Sequence, residues 1–250
     1  LGQRGVLGVD GDDLPAELAA RIRRVATLSR AFDAWDRFDH AGALKLLVAA
    51  PDLAGAVVDY LPALRQLAGN GERTERRGNR LRWLPPENAL VSLDLWWNAK
   101  RRAAQGRFDD AVARCYRLAE ATVQWVLWTE RGIDTGAVDQ ARVKPSTMHK
   151  VDAHGHLSLT KAYDVLGSEV GRRHPFYLRL RQPMAGRKAR ECLQDWLSMR
   201  NDSIFGHGFR PVSSRDWETV EEWCRRVLVP HLEDRARAVQ VGLPQLPTQF

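Results

Sequence analysis

The segment Met199 to Gly208, which reads MRNDSIFGHG, combines side chains that could do chemistry. It offers a cation at Arg200, an amide at Asn201, a hydroxyl at Ser203 and an imidazole at His207, all within about two helical turns. A guanidinium holds phosphate oxygens well, and an imidazole can transfer a proton near neutral pH. The segment is therefore a candidate site for binding a phosphate and transferring a proton beside it.

The position of this segment relative to a helix leaves two interpretations open. The apolar spacing predicts a helix over 187–205, whose buried stripe contains Ala189, Leu193, Leu197 and Ile204. At about 100° per residue Arg200 lies on this stripe, and so does His207 if the helix continues through Gly206. A buried guanidinium needs a partner, because burial without one is costly. The partner is either a carboxylate on a neighbouring helix or the phosphate of a ligand in a cleft.

The spacing of Arg200 and His207 is weak evidence by itself. Other arginines in the chain precede a histidine at a comparable distance, but a proline lies between the two in each case. Such an interrupted stretch cannot present both side chains on one clean helical face. Arg200 is also followed by Asn201, which forms the only Arg-Asn dipeptide of the sequence.

The elements around this segment are predicted to be helical. Apolar residues recur at helical rather than strand spacing, so the sequence predicts an all-α protein. Helices are expected from about Leu14, over 41–50 and over 53–67, and a helical hairpin is expected to turn at Gly106. The stretch 68–88 breaks the pattern with glycines, prolines and arginines, and we expect a basic loop there.

A short internal similarity points to a third interpretation. Asp36 to Leu47 and Gly106 to Leu118 share the pattern R-F-D followed by an apolar periodic run. This pattern predicts two helical hairpins that begin alike, as in helical-repeat proteins. A helical-repeat scaffold in which Arg200 and His207 occur by chance therefore stays open, although two copies do not establish a solenoid.

The charge composition of the chain indicates which type of partner it binds. A net charge of +7 and an isoelectric point near 9.7 favour polyanionic partners. Arginines interleave with aromatic residues before the candidate segment, which suits RNA as well as a solvated basic face. The RNA-binding candidates of this run are Arg179, Arg181, Arg187 and Lys188.

Other compositional features concern the compartment, metals and membranes. Three isolated cysteines in apolar helical patterns predict free thiols in a reducing cytoplasm. No apolar run reaches the length of a membrane span, so no membrane partner is expected. The histidine-rich stretch HKVDAHGH has no second ligand cluster after it, and we expect neither a metal site nor a cofactor.

At these residues the sequence resembles a known family. RNDSIFGH is similar to the R-N-x(4-6)-H signature of HEPN domains, an all-α family of ribonucleases and nucleotide-binding proteins that pair as dimers. The chain resembles the C-terminal HEPN part of CRISPR-associated CARF-HEPN ancillary proteins in the order of three stretches, AWDRFDHAGALKLL, GRFDDAVARCYRLAE and RNDSIFGHG. The resemblance implies a HEPN-like helical bundle with an N-terminal helical-hairpin extension.

The resemblance also implies an activity. It suggests a cytoplasmic, metal-independent endoribonuclease in CRISPR-linked antiviral defence, which cleaves single-stranded RNA at a composite site on a homodimer interface. Arg200 and His207 would act at the RNA phosphate beside Asn201, and the products would carry 2′,3′-cyclic phosphate and 5′-hydroxyl ends. Ser203 and Glu120 are supporting candidates. Glu120 either pairs with Arg200 across the dimer or lies on a solvated polar face.

The predicted domain organisation follows from these elements. Residues 1–13 are expected to be a linker or the remnant of an upstream region, and 14–86 an N-terminal helical region with the basic loop. Residues 87–240 would form the HEPN-like domain with an irregular insertion at 132–186, followed by a tail over 241–250. An upstream CARF sensor, or control by cyclic oligoadenylate, would lie outside this chain. The alternative function is a non-catalytic HEPN-like module that binds nucleotides or proteins.

Overall fold

A computed structural model describes residues 15–50, 59–69, 74–77, 80–83, 89–203 and 206–237. The predicted linker over 1–13 and the predicted tail over 241–250 lie outside these residues. The chain divides into two compact units, 1–69 and 70–250.

The first unit consists of helices in its described part. They are α1 (Ala16–Asp36), α2 (His40–Val48) and α3 (Leu61–Gly69). α2 packs against both neighbours, and the buried side chains include Trp35, Leu47 and Leu64. The first part of the helix predicted over 53–67 lies outside the described residues, and α3 extends two residues beyond its predicted end.

The second unit begins with a short strand pair where a loop was expected. β1 (Thr74–Arg77) and β2 (Arg80–Trp83) are antiparallel, and Thr74 is paired with Trp83. The prediction of a loop without secondary structure over this stretch was therefore wrong. The backbone groups hydrogen-bond across the hairpin, and a ladder of four residues is too short to produce a clear alternating pattern in the sequence.

A helical hairpin forms the centre of the second unit. α4 (Leu90–Ala104) and α5 (Phe108–Arg131) pack together and turn at Gly106, whose φ of 74° suits glycine. The predicted turn is thus confirmed. α5 also contacts the later helices, and its buried face includes Cys115, Ala119 and Val126, as the helical spacing predicts.

The internal similarity does not produce two equivalent helix starts. In the first copy Asp39 precedes α2, and its Oδ1 accepts a hydrogen bond of 2.9 Å from the Gly42 N–H. In the second copy the corresponding Asp109 already lies inside the first turn of α5. The expectation that both hairpins begin alike was therefore wrong, because the same three letters occupy different positions relative to the helix cap.

The stretch between α5 and the candidate segment contains ordered elements. Two 3₁₀ turns over Gln140–Arg142 and Pro145–Lys150 lead to α6 (Leu159–Glu169) and α7 (Pro175–Leu180). The Tyr163 hydroxyl donates a 2.9 Å hydrogen bond to the Ala119 carbonyl, which fixes α6 on α5.

The candidate segment begins on the first of the three final helices. A two-residue strand pair, β3 (Pro183–Met184) and β4 (Arg187–Lys188), precedes α8 (Ala189–Asn201). α9 (Ser214–Val227) and α10 (Val229–Arg237) follow. The Trp223 indole donates a 2.7 Å hydrogen bond to the Ala189 carbonyl, which attaches the start of α8 to α9.

Local sequence signals account for both ends of α9. The Ser213 hydroxyl accepts a 3.2 Å hydrogen bond from the Asp216 N–H, and the Asp216 carboxylate accepts one of 3.0 Å from the Ser213 N–H. The helix breaks before Pro230, which lies in the first turn of α10. The all-α prediction is confirmed, and among the described helices none is long and apolar enough to cross a membrane.

Candidate functional site

The candidate segment begins on α8 and leaves it earlier than the sequence predicts. α8 starts two residues after the predicted start and ends at Asn201 rather than continuing towards residue 205, so His207 does not lie on its buried stripe. Residues 202–203 and 206–210, which we call the His207 loop, instead contact the helix end, and positions 204 and 205 are outside the described residues. The His207 N–H donates a 2.7 Å hydrogen bond to the Asn201 carbonyl. A turn therefore returns His207 to the helix end that carries Arg200.

Glycines allow this close return. A Cβ added at Gly206 would overlap the Asn201 carbonyl oxygen, and one added at Gly208 would overlap the Asp202 carbonyl oxygen. The backbone of the loop thus lies directly against the last turn of α8. Both residues that flank His207 must lack a side chain for the loop to adopt this path.

Arg200 is half-buried against an aromatic ring. Its guanidinium carbon lies 4.4 Å from the centroid of the Tyr116 ring, which belongs to α5. Its Nη1 donates a 3.2 Å hydrogen bond to the Asn201 Oδ1, while its Nε is buried without a hydrogen-bond partner among the described residues. No ion pair joins Arg200 to a carboxylate in the described part of the chain. The interpretation of a structural ion pair within the chain therefore finds no support here.

Tyr116 is a site residue that the sequence analysis missed. Contact with Arg200 joins residues far apart in the chain, and periodicity within α5 carries no signal of it. A tyrosine face supports a guanidinium through cation–π attraction and fixes its orientation. Tyr116 therefore positions the charge of Arg200 while leaving it without a counter-charge.

Glu120, the supporting carboxylate candidate, lies one turn beyond Tyr116 on α5. Within the chain it pairs with Arg117, whose Nη1 lies 2.9 Å from the Glu120 Oε2. Its side chain is partly exposed. Glu120 thus lies near the Arg200 face without an ion pair to Arg200.

Ser203 has a role inside the helix end. It is 1% exposed, and its hydroxyl donates a 2.7 Å hydrogen bond to the Arg200 carbonyl. The hydroxyl therefore satisfies a terminal carbonyl of α8 that has no partner within the helix. Ser203 shapes the turn, and its hydroxyl proton is already donated within the protein.

Two side chains of the His207 loop are exposed to solvent. His207 is exposed, and its ring makes no hydrogen bond to another described residue. Phe209 is 92% exposed, which is unusual for a large apolar side chain. The imidazole is therefore accessible, and an apolar residue stands next to it.

Two of the four predicted RNA-binding residues form ion pairs with carboxylates, and the other two do not. Arg179 lies 3.5 Å from Asp234, and Arg187 pairs with Asp195. Arg181 and Lys188 are exposed and have no ion pair with any described carboxylate. The structure thus leaves two of the four charges uncompensated.

The described residues contain no cluster of three His, Cys, Asp or Glu side chains that could hold a metal ion. In the histidine-rich stretch, the His154 and His156 backbones donate to the Asp152 carboxylate at 2.9 and 2.8 Å. These bonds lower the pKa of Asp152, the one from His156 most strongly. The stretch is therefore a carboxylate-capped turn.

Comparison with known proteins assigns the fold to a family. Searches of curated proteins and of solved structures found no match. A family model described as the Csm6 HEPN domain matches residues 83–229, which include α4 to α9, Arg200, Tyr116 and His207. This match covers more than half of the chain. The chain belongs to the Csm6 HEPN domain family, a family of CRISPR-associated HEPN nucleases.

Proposed function

We propose that this chain is a metal-independent endoribonuclease that cleaves single-stranded RNA at Arg200, Asn201 and His207. It acts as a homodimer in CRISPR-linked antiviral defence in the cytoplasm. Membership of the Csm6 HEPN domain family supports the class of activity. The observation that carries the proposal is the charge of Arg200, which is stacked on Tyr116 and has no carboxylate partner in the described residues.

The chemistry needs only the RNA and these side chains. The 2′-hydroxyl of the substrate attacks the adjacent phosphorus, a P–O bond forms, and the bond to the 5′-oxygen of the next nucleotide breaks. His207 accepts the proton of the 2′-hydroxyl and delivers a proton to the leaving 5′-oxygen, and Arg200 stabilises the additional negative charge on the phosphate. The products are a 2′,3′-cyclic phosphate and a 5′-hydroxyl. The nucleophile belongs to the substrate, so the mechanism requires no metal-bound water.

Asn201 has a positioning role in this scheme. Its side-chain oxygen accepts a hydrogen bond from the Arg200 Nη1, and its carbonyl accepts one from the His207 N–H. One residue thus orients both the cation and the loop that carries the imidazole. The expected effect of Asn201→Ala is a loss of cleavage rate larger than the loss of RNA affinity.

Exposed groups support a composite site between two subunits. His207 and Phe209 are both exposed on the same loop, and one copy of the motif supplies a single imidazole. A two-fold axis near this loop would bring together two copies of Arg200 and His207 and would cover both Phe209 rings. The dimer therefore completes the catalytic groups and buries an apolar surface.

The test is cleavage of a fluorescent single-stranded RNA in EDTA, followed by end-group analysis of the products. The wild type should produce cyclic-phosphate ends. Arg200→Ala and His207→Ala should each reduce the rate at least about a hundredfold, a typical effect of removing a general acid–base or a charge-stabilising group. Arg225→Ala is the matched control, because this exposed arginine lies outside the site.

Thermal unfolding of the same variants separates catalysis from structure. Arg200→Ala should remain folded, with a melting temperature only a few degrees below that of the wild type, because it loses the cation–π contact with Tyr116 but no described ion pair. Unfolding of this variant would instead identify Arg200 as a structural residue. A folded, dimeric wild type that binds RNA without cleaving it would favour a non-catalytic nucleotide-binding module.

A further inference from the structure

A second set of basic and aromatic side chains surrounds a cavity away from Arg200. The cavity has a volume of about 360 Å³ and is bordered by α6, α7, β4 and the start of α8. Its cationic lining residues are Arg172, Arg181, Lys188 and Arg190, and Tyr163 and Tyr177 contribute aromatic rings.

The charges of this cavity are mostly uncompensated. Arg190 is neutralised by Asp164, whose Oδ1 accepts a 2.8 Å hydrogen bond from the Arg190 Nη2. Arg172, Arg181 and Lys188 are exposed, and none of them has an ion pair with a described carboxylate. Three cations that converge without counter-charges attract an anion, and a phosphate can accept hydrogen bonds from several of them.

The aromatic rings are held in place by the surrounding helices. A Cβ added at Gly167 would overlap the Tyr177 ring, so this ring lies directly against the backbone of α6. Tyr163 is buried, and the Arg190 guanidinium lies 5.8 Å from its ring centroid. The Arg190 Nε is buried without a hydrogen-bond partner in the described residues. The surrounding helices therefore hold the Tyr177 ring and the Arg190 guanidinium in place at the cavity wall.

We propose that this cavity binds one nucleotide of the RNA strand, with its phosphate on Arg172, Arg181 and Lys188 and its base against Tyr177. A cavity of about 360 Å³ has room for a single nucleotide. Cations with an aromatic platform are the usual means of binding single-stranded RNA without sequence preference.

The position of the cavity relative to Arg200 gives it a role in substrate binding. Arg190 and Arg200 lie ten residues apart on α8, which corresponds to about 15 Å along the helix axis. This distance is about four stacked nucleotides at the rise of a nucleic acid strand. The cavity thus anchors the strand a few nucleotides from the phosphate at Arg200. The identity of the ligand as substrate rests on the proposed function.

Binding measurements test the cavity without relying on cleavage. The full chain carrying His207→Ala would be titrated against a fluorescein-labelled ten-nucleotide oligouridine in EDTA, with anisotropy as the readout. Adding Arg181→Ala and Lys188→Ala should raise the Kd at least about tenfold. The double variant should also reduce the slope of log Kd against log salt by about 0.7, because the proposal places one phosphate on these side chains and each single-strand phosphate contact contributes about 0.7.

The matched control removes two positive charges from a surface outside the cavity. Arg21→Ala with Arg23→Ala removes two exposed arginines of α1 and should change the Kd less than about threefold. Tyr177→Ala should weaken binding at least about fivefold, whereas Tyr177→Phe should not, because stacking does not need the hydroxyl. Equal Kd values for the cavity and control double variants would overturn the proposal, as would an absence of RNA binding by the parent chain.

The outcomes distinguish this proposal from the proposed function. If Arg200→Ala abolishes cleavage while the cavity variants bind RNA normally, the cavity proposal is wrong and the nuclease proposal stands. If the cavity variants lose RNA binding but the wild type does not cleave RNA, the cavity proposal stands and the nuclease proposal is wrong. A separate titration measures binding of adenosine monophosphate to the same variants. Binding of this nucleotide that depends on the cavity residues, without any effect on RNA, would identify a free nucleotide as the ligand and overturn the RNA assignment.

Discussion

Arginines of the second unit differ in what surrounds their charge. Arg114 lies 3.0 Å from Asp110, and Arg210 lies 3.3 Å from Asp216. Arg200 instead has the face of Tyr116 and a neutral amide oxygen. A ring and an amide hold a guanidinium in place without neutralising it, so its charge remains available to a phosphate.

Substitution of Tyr116 tests this positioning role. Tyr116→Ala should reduce kcat/KM for RNA cleavage about five- to thirtyfold, because a partly desolvated cation–π contact contributes about 1–2 kcal/mol. Tyr116→Phe keeps the ring and should stay within about threefold of the wild type. Cleavage rates of a fluorescent RNA measure both variants. Equal losses would assign the effect to the hydroxyl rather than to the ring.

At the scale of elements, local signals in the sequence account for the hairpin of α4 and α5 and for the capping of α9. Gly106 and the Ser213–Asp216 pair act within a few residues, where sequence carries the information. The end of α8 was predicted too late because the apolar spacing continues past Asn201. Backbone contacts of the His207 loop terminate the helix, and a hydrophobic pattern does not contain them.

The sequence located the candidate segment, and the catalytic roles of its residues stay a prediction. The types and spacing of Arg200, Asn201 and His207 identified a candidate segment, and the structure gathers these residues at the end of α8. Tyr116 and the cavity beside Tyr177 depend on packing between helices distant in sequence. Such contacts are set by tertiary structure and leave no periodic trace in one sequence.

The path of the His207 loop leads to a prediction for Gly208. Gly208→Ala should displace the loop, because the new Cβ would overlap the Asp202 carbonyl oxygen. We expect at least about a tenfold loss of cleavage rate, since small misplacements of catalytic groups have large effects. RNA cleavage and circular dichroism measure activity and helix content.

Gly69→Ala is the control for this change. Gly69 lies at the end of α3, and an added Cβ there would meet no atom within 4 Å. This variant should retain full activity. Wild-type activity in Gly208→Ala would show that the observed loop path is not needed for cleavage.

At the scale of the whole molecule, His231 connects helices that are distant in sequence. It is 3% exposed on α10, and its ring lies 4.9 Å from the Phe176 ring of α7 and 6.2 Å from the Trp125 ring of α5. The pKa of His231 is lowered to about 4, mainly by burial and also by the nearby Arg235, His174 and Arg179 charges. The neutral imidazole is therefore part of the folded core.

This lowered pKa predicts a pH dependence of stability. The unfolded chain binds a proton at His231 below about pH 6.5, whereas the folded chain does not until about pH 4. The free energy of unfolding should therefore fall by about 2 kcal/mol from this residue between pH 7 and pH 5. Denaturant unfolding at both pH values would measure this change.

The variant His231→Gln isolates this contribution from other titrating groups. It should be less stable than the wild type at pH 7 because the ring contacts are lost. Its own loss of stability between pH 7 and pH 5 should be smaller than that of the wild type by about 2 kcal/mol. Identical losses in both proteins would contradict a buried neutral imidazole at this position.

Substitution of Phe209 tests whether the His207 loop forms the contact between the two subunits of the proposed dimer. Phe209→Asp should convert the proposed dimer to a monomer and abolish cleavage, because a charge would replace an exposed ring at the subunit contact. Val48→Asp, which changes a 57% exposed residue of α2, should leave the dimer intact. Analytical ultracentrifugation measures both. A dimeric Phe209→Asp variant would place the subunit contact elsewhere.

The location of Arg200 in the last turn of α8 also has an electrostatic consequence. The carboxyl end of a helix is the negative pole of its dipole, which stabilises a nearby cation by about 0.3–1 kcal/mol and disfavours anions. The helix therefore offsets part of the cost of half-burying Arg200, and it opposes the arrival of a phosphate. Phosphate affinity at this end must come from side-chain charge alone, unlike in sites at helix amino ends. If the chain cleaves RNA as proposed, we expect a strand held in this way to dissociate readily once it is cut.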